Sequence, residues 1–324
     1  MFSFRRWWGH AQVPVLGVDL GADAIRVVGL GAQERSWPLK IAHYAHRPLP
    51  RGAMRDGVVV LQEEVAAALR DAIRASGSRL RDVALALPGG AAIKKTLSLP
   101  SMLEEDELEL QVEAEAGETL PFPRDEIGID FAVAGPSPGQ PDCVDVVLVA
   151  ARRERIDERV ALARAAGLRP LIVDVASHAL MSAIMLADST READATRVIA
   201  ALWIEAERSH CLFMAGGVLL YERELGLAAS SGDPAGVERI CQEFDRALQL
   251  FHTATAHTDP QQIYLLGSVP AELSLVLERR TGTSVVQPDP LSQWSRSMHR
   301  IGAAAGDSPS SCMLACGLAL RSFD

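Results

Sequence analysis

The chain has 324 residues, of which 48% are hydrophobic and 23% are charged, and its formal net charge is −10. This length exceeds one typical domain, and the composition supplies a sizeable core. We therefore expect two lobes or a domain with an insertion, and global disorder is excluded. The acidic charge argues against a nucleic-acid partner, because the overall field does not attract phosphates.

The five cysteines are odd in number, and their spacing is not typical of a disulfide framework. They therefore predict reduced thiols and a cytosolic compartment. No stretch of roughly 18 or more apolar residues occurs, so no transmembrane helix is predicted. The segment MFSFRRWWGH at the start carries Arg5, Arg6, Trp7 and Trp8, but its apolar core is too short for a signal peptide. Two interpretations of this segment stay open: a frayed start, or a contact to an anionic membrane surface.

Two apolar runs, Val15–Leu20 and Ile25–Leu30, flank the turn Gly21-Ala22-Asp23 and predict a β-hairpin. Asp19 lies at the end of the first run, just before the turn glycine. A carboxylate at that place can hold a hydrated divalent cation, and a glycine turn lets backbone N–H groups approach a phosphate. Taken alone, the hairpin is compatible with a phosphate loop and with a simple edge hairpin.

The first half of the chain then alternates between strand and helix patterns. Apolar runs bounded by Gly and Pro predict strands, and 3.6-residue spacing predicts helices. The strands are Ile41–Pro48, Val83–Leu87, Ala92–Leu99, Ile127–Ala134, Val144–Ala151 and Leu171–Val175, and the helices are Gln62–Ala75, Glu104–Leu120 and Glu154–Ala166. Ser101 and Glu104 form a predicted capping box. The many carboxylates of the second helix fall all round it, which favours a solvated acidic face over a metal site.

The strand–turn–strand opening begins again near Val198, which predicts two related α/β halves around a central cleft. The later elements are helices at Ser177–Ala187, Pro234–Thr255, Ala271–Arg280 and Met313–Arg321, and strands at Val198–Ile204, Cys211–Met214, Val218–Arg223, Ile263–Leu266 and Ser284–Val286. The predicted organisation is a first lobe at 1–81, an inserted subdomain at 82–174, a return to the first lobe at 175–196, a second lobe at 197–305, and a closing helix on the first lobe at 306–324.

Several segments, taken in order, resemble the type IV pilus assembly protein PilM family. These segments are GVDLG at 17–21, Leu99-Pro100, the acidic helix running into Leu120-Pro121-Phe122-Pro123, Asp130, VDVVLVAARRE at 144–154, AGLRPLIVDV at 166–175 and GLALR at 317–321. Within this resemblance, the stretch from Val15 to Leu30 looks like the first phosphate loop of actin-like ATPases.

The resemblance implies an α/β, actin-like (ribonuclease H-like, duplicated) fold with an inserted α/β subdomain, related to the cell-division protein FtsA. It implies a cytoplasmic scaffold, peripheral at the inner membrane, for type IV pilus biogenesis and twitching motility. The implied partner is a PilN-like single-span membrane protein, whose N-terminal tail docks between the first lobe and the inserted subdomain. Pilus motor ATPases are further implied partners.

The resemblance also implies an ATP site. Asp19, Gly21 and Ala22 would belong to its first loop, with Asp19 holding Mg²⁺ through water, and Gly267 and Ser268 would belong to its adenosine loop. Around the first loop, however, Ala22, Asp23 and Ala24 replace the hydroxyl-bearing residues that are usual in the family.

The second phosphate loop departs further from the family pattern. Trp203 stands where an Asp is expected, and Glu205 stands where a Gly is expected. Glutamate lacks the backbone freedom of glycine and adds negative charge. We therefore expect weak or absent ATP binding, no catalytic residues, and a pseudo-ATPase scaffold. The alternatives are an active actin-like ATP-binding protein and a related scaffold of another pilus or secretion system.

Two further residue pairs have the side chains of a metal site but not its arrangement. His252 and His257 are five apart on a helix and do not share a face. Cys312 and Cys316 lie on an apolar helix without a matching His or Cys pair nearby, which predicts buried structural thiols.

Overall fold

The computed structural model describes residues 13–31, 40–137, 139–188, 196–226, 234–294 and 308–323. The predicted Arg/Trp membrane contact at the start of the chain lies outside these residues. The strands are β1 (Leu16–Leu20), β2 (Ala24–Gly31), β3 (Lys40–Pro48), β4 (Met54–Arg55), β5 (Val58–Val59), β6 (Asp82–Leu87), β7 (Ala92–Pro100), β8 (Ile127–Pro136), β9 (Cys143–Arg152), β10 (Arg169–Val175), β11 (Val198–Ile204), β12 (Ser209–Ala215), β13 (Val218–Glu224), β14 (Gln262–Gly267) and β15 (Val285–Val286). The helices are α1 (Gln62–Ala75), α2 (Glu105–Thr119), α3 (Arg153–Ala165), α4 (Ala176–Ala187), α5 (Pro234–Ala254), α6 (Leu273–Thr281), α7 (Pro290–Gln293) and α8 (Met313–Ala319).

The two large sheets have the same topology. The first has the order β10-β6-β1-β2-β3, and the second has the order β13-β12-β11-β14-β15. In each sheet, three consecutive strands form an antiparallel meander, and two later strands add in parallel beside the first strand of that meander. Helix α1 provides the crossover in the first lobe and α5 provides it in the second. The chain is therefore a duplicated α/β fold, as the repeat of the strand pattern near residue 198 predicted.

The sheet pairings move the boundaries of the inserted subdomain from the predicted 82 and 174 to 92 and 152. Strand β6 pairs in parallel with β1 and with β10, so both flanking strands belong to the first sheet. Helix α3 packs beneath that sheet through Leu162 and Ala163. What remains is a three-stranded sheet, β7-β9-β8, covered by α2. Apolar runs reveal strands but not the sheet that each strand joins, which explains the error.

Helices α4 and α8 lie between the two large sheets and share a core with both. Their approach depends on glycine. A Cβ at Gly17 on β1 would collide with the carbonyl oxygen of Ala315 in α8, and a Cβ at Gly317 would collide with that of Ala179 in α4. This close packing holds the closing helix on the first lobe and fixes the position of the hairpin β1–β2.

The acidic helix begins later than predicted, because Glu104 rather than Ser101 is its N-cap. The Glu104 N–H donates to the Glu107 carboxylate at 3.1 Å, and this pair forms the capping box. Leu108, Val112 and Ala116 are the buried residues of α2, and its carboxylates face outward. The prediction of a solvated acidic face is therefore confirmed.

The predicted burial of Cys312 and Cys316 is confirmed. All five cysteines lie in the described residues, and none is in a disulfide. Cys312 and Cys316 are buried, with 4.0 Å between their sulfur atoms.

Among the described residues, no cluster of three potential metal-binding side chains occurs, and no helix is both long and apolar enough to span a bilayer.

Candidate functional site

The two hairpin turns, one from each lobe, meet at a cleft between the lobes. Asp19 and Ala22 come from the first hairpin, and Trp203 and Glu205 come from the second, and all four line one cavity. The structure thus brings together the residues that the sequence placed in the two phosphate loops. The cavity has a volume of about 50 Å³.

Asp19 is paired with a buried arginine. Its carboxylate lies 3.6 Å from the guanidinium of Arg26, and the side chains of both residues are about 93% buried. The hairpin places these residues opposite each other in register. A second buried guanidinium, that of Arg159 on α3, lies on the wall of the same cavity, donating to the carbonyls of Ala86 and Gly57. The carboxylate predicted to hold a metal therefore already faces a cation of the protein itself.

The turn of the second lobe adds an unusual carboxyl. Burial raises the pKa of Glu205 to about 8, with a further contribution from the negative charge of Asp19. The Glu205 carboxyl lies 3.9 Å from Nε2 of His210, whose own pKa is lowered by burial. The His210 ring stacks on Trp203, with 5.1 Å between the ring centroids. The Trp203 indole is thus held in the cleft wall.

The remaining predicted site residues lie beside this cavity. The Gly21 N–H donates to the Ala24 carbonyl at 3.0 Å, which closes the turn of the first hairpin. Gly267 has a φ of +84°, and a Cβ there would collide with the carbonyl oxygen of Ile204. Ser268 donates its backbone N–H to that same oxygen at 2.8 Å. Gly267-Ser268 therefore packs against the end of β11 and does not line the 50 Å³ cavity.

Size decides what the interlobe cavity can hold. Pockets for organic ligands typically measure about 300–1,000 Å³, and one water takes about 30 Å³ of liquid volume. A volume of 50 Å³ holds a few waters and lies well below the range for organic ligands. Trp203, Arg159 and the Asp19 carboxylate, which is paired with Arg26, form part of its wall.

A larger groove opens on the other side of Arg159, between the first lobe and the inserted subdomain. Its volume is about 460 Å³. Its apolar lining combines side chains from both parts of the chain: Leu87, Pro88, Ile93, Phe122, Ile127, Ala150 and Ala151. Its charged lining has both signs: Asp56, Arg152, Arg155, Glu158, Arg159, Arg208 and Glu224.

Specific contacts fix the walls of this groove. The Arg152 guanidinium lies over the Phe122 ring, 4.4 Å from its centroid, which is a cation–π contact. Glu158 accepts a hydrogen bond at 2.9 Å from the backbone N–H of Val59. Arg208 of the second lobe lies 3.5 Å from Glu224, and both close one end of the groove. The groove is therefore an amphipathic channel with preformed walls.

Sequence reasoning missed Arg26, Arg159 and the groove residues. The register of the hairpin could have revealed Arg26, since a two-run hairpin places Asp19 and Arg26 opposite each other. Arg159 carried no such signal, because it reaches the cleft from a helix about 140 residues from Asp19 only after the sheet is assembled.

Comparisons with known proteins agree with this architecture. A family model described as type IV pilus assembly protein PilM matches residues 17–230. A solved structure of the PilM–PilN type IV pilus biogenesis complex is 25% identical, with alignment covering 97% of this chain and 100% of that chain at a TM-score of 0.79. The ethanolamine utilization protein EutJ from Carboxydothermus hydrogenoformans is 13% identical, with 96% and 92% covered and a TM-score of 0.50.

The duplicated sheets and these likenesses identify the fold as actin-like. The family match covers well over half of the chain. The chain therefore belongs to the PilM family of type IV pilus assembly proteins.

Proposed function

We propose that this protein is a cytoplasmic scaffold of the type IV pilus assembly platform, and that it binds the N-terminal tail of a PilN-type single-span membrane protein. The similar solved structure is of a PilM–PilN complex, and its alignment covers the whole of that chain. Binding of a membrane-anchored tail would hold the protein at the inner membrane, and it needs no membrane span in the protein itself.

The groove between the first lobe and the inserted subdomain is the proposed docking site, and it is the observation that carries the proposal. Its volume of about 460 Å³ lies in the range of ligand pockets. Its apolar wall at Pro88, Ile93 and Phe122 suits one or two aliphatic side chains of an extended peptide. The surrounding cations and carboxylates can pair with backbone groups and charged residues of the same peptide.

We further propose that the interlobe cleft does not turn over nucleotide. The Asp19–Arg26 ion pair occupies the position expected for a hydrated cation, and the cavity is small. Glu205, where a glycine is expected, adds a carboxyl side chain beside the position expected for phosphates. These features support a structural role for the cleft, in which it holds the two lobes together.

Fluorescence anisotropy with a labelled synthetic peptide tests the docking site. The peptide is the N-terminal cytoplasmic tail of a PilN-like single-span protein. Phe122→Ala should weaken binding about tenfold or more, because an aromatic anchor in a desolvated groove typically contributes 2 kcal/mol or more. Met102→Ala is the matched control: Met102 is 85% exposed on the inserted subdomain and does not line the groove. Equal effects of the two variants would contradict the proposed site.

Thermal unfolding with millimolar MgATP tests the second proposal. Ligands that bind the folded state raise its stability by RT ln(1 + [L]/Kd), so a bound nucleotide would raise the melting temperature. We expect stabilisation by the peptide and none by MgATP. Stabilisation by MgATP that is lost in Asp19→Ala would favour an active actin-like ATP-binding protein instead. A tail from another pilus or secretion system that binds more tightly would reassign the partner.

A further inference from the structure

Six exposed arginines gather at one end of the first lobe. This basal arginine patch consists of Arg70, Arg74, Arg79, Arg81, Arg164 and Arg169. Two carboxylates, Asp71 and Asp82, lie among them, so the patch has a formal charge of +4 in a chain whose net charge is −10. This cluster of positive charge is opposite in sign to the net charge of the chain and therefore needs an explanation.

The topology of the first lobe brings the six residues together. Arg81 and Arg169 directly precede Asp82 and Pro170, at the amino ends of the neighbouring parallel strands β6 and β10. Helices α1 and α3 pack side by side under the sheet and end there, with the Arg70 guanidinium donating to the Ala165 carbonyl at 2.9 Å. All six side chains therefore lie at the end of the sheet opposite the hairpin turn.

Local structural roles account for only part of this charge. Cations near helix C-termini are favourable, which applies to Arg74 and Arg164. Arg169 forms a salt bridge of 2.7 Å to Asp82 but remains 73% exposed, and Arg74 remains 80% exposed. Each guanidinium has five N–H donors, and the two-pronged contact of Arg169 with Asp82 uses two of them, so most donors remain available.

The same end of the lobe carries an exposed aromatic residue. Strand β1 begins at this end of the sheet. The Val15 N–H donates at 2.9 Å to the Ser322 hydroxyl, which places the next residue, the 40% exposed Phe323, at this end as well. Aromatic side chains beside clustered cations are typical of surfaces that bind membrane interfaces.

We propose that the basal arginine patch, together with the adjoining Phe323, binds an anionic phospholipid surface. At physiological salt, electrostatic interactions are screened beyond about 8 Å. The formal charge of +4 on the patch therefore affects contact with lipid headgroups more than the negative charge on distant parts of the surface does. The preference for a membrane over a nucleic acid rests in part on the proposed function, because a partner with a single span would hold the protein near a bilayer at high effective concentration. The lipid contact itself does not require that partner.

Vesicle co-sedimentation tests the proposal with the full chain and without peptide. Vesicles of phosphatidylcholine with phosphatidylglycerol should bind the protein at low salt, and vesicles of phosphatidylcholine alone should not. The triple variant Arg74→Gln, Arg79→Gln, Arg164→Gln should weaken binding roughly a hundredfold, since each basic residue near an anionic surface contributes about fivefold. The control is Arg51→Gln, Arg246→Gln, Arg279→Gln, which removes the same charge from exposed positions outside the patch.

The outcomes separate the alternatives. Loss of vesicle binding in the patch variant but not in the control, with unchanged circular dichroism melts and unchanged peptide affinity in both, supports the proposal. No binding to phosphatidylglycerol vesicles, or equal loss in both variants, overturns it. If an oligonucleotide displaces the protein from vesicles at a concentration lower than that of the lipid, the patch would be assigned to nucleic acid instead. Because peptide affinity is measured separately, failure here leaves the proposed scaffold function untouched.

Discussion

Replacing Glu205 with glutamine should make the stability of the protein less dependent on pH. Glu205 lies in the turn between β11 and β12, and the groups that face it are Asp19, Asp23, Arg26, Arg208 and His210. Burial and the charge of Asp19 raise its pKa from an ordinary value of 4.5 to about 8. Between these two values, the folded state keeps a proton that the unfolded state has lost.

The sign and size of the effect follow from this proton. A carboxyl with a raised pKa lowers the free energy of unfolding as pH rises through the window from 4.5 to about 8. One pKa unit corresponds to about 1.4 kcal/mol, so the full shift would cost nearly 5 kcal/mol. The Glu205 side chain retains 26% of its surface exposed, and water screens part of the effect. We therefore expect the free energy of unfolding to fall by about 2 kcal/mol across this pH window.

Urea unfolding across this pH window measures the effect. From the acidic to the alkaline end of the window, the free energy of unfolding of wild type should fall by about 2 kcal/mol relative to that of Glu205→Gln. At the acidic end, where Glu205 is neutral, the two proteins should have similar free energies of unfolding. His210 acts in the opposite direction, because its lowered pKa reduces stability as the solution becomes more acidic, but it is present in both proteins. Glu207→Gln, an exposed carboxylate in the same turn, is the control and should follow wild type.

One result would refute this reasoning. If Glu205→Gln and wild type show parallel pH profiles, Glu205 is ionised in the folded protein. The cleft would then be wetter than the packing of Trp203 and Arg26 indicates. The proposal that the cleft is too closed for a nucleotide would lose its electrostatic support at the same time.

Three other substitutions test the packing. Asp19→Asn should destabilise the protein by about 3 kcal/mol, because it removes the carboxylate that faces buried Arg26. In a double-mutant cycle measured by urea unfolding, adding Arg26→Met should recover part of the lost stability. Gly317→Ala should cost about 1–3 kcal/mol in thermal unfolding, since its Cβ would collide with the Ala179 carbonyl, and an unchanged melting temperature would contradict the close helix packing. Gly117→Ala, with open space around it in α2, should be neutral or stabilising by up to about 1 kcal/mol in the same assay.

Local pattern was enough to predict most elements. Helix Gln62–Ala75 was predicted to the residue, because its apolar positions follow a 3.6-residue period and Gly77 follows it with a φ of +70°. The hairpin was predicted from two apolar runs around Gly21. The capping box was misplaced by three residues, because Ser101 with Glu104 fits the usual pattern, whereas the path of the chain makes Glu104 the N-cap with Glu107.

The family, the duplicated fold and the two hairpin turns that meet at the cleft were thus determined by the sequence, since they depend on residue types at fixed spacing. The tertiary structure alone decided how these residues interact. Sheet order assigned β6 and β10 to the first lobe, and assembly of that sheet with α3 brought Arg159 to the same cavity as Asp19. Such contacts join residues distant in the chain, and their free energies depend on burial and distance. Neither quantity is encoded in any local stretch of sequence.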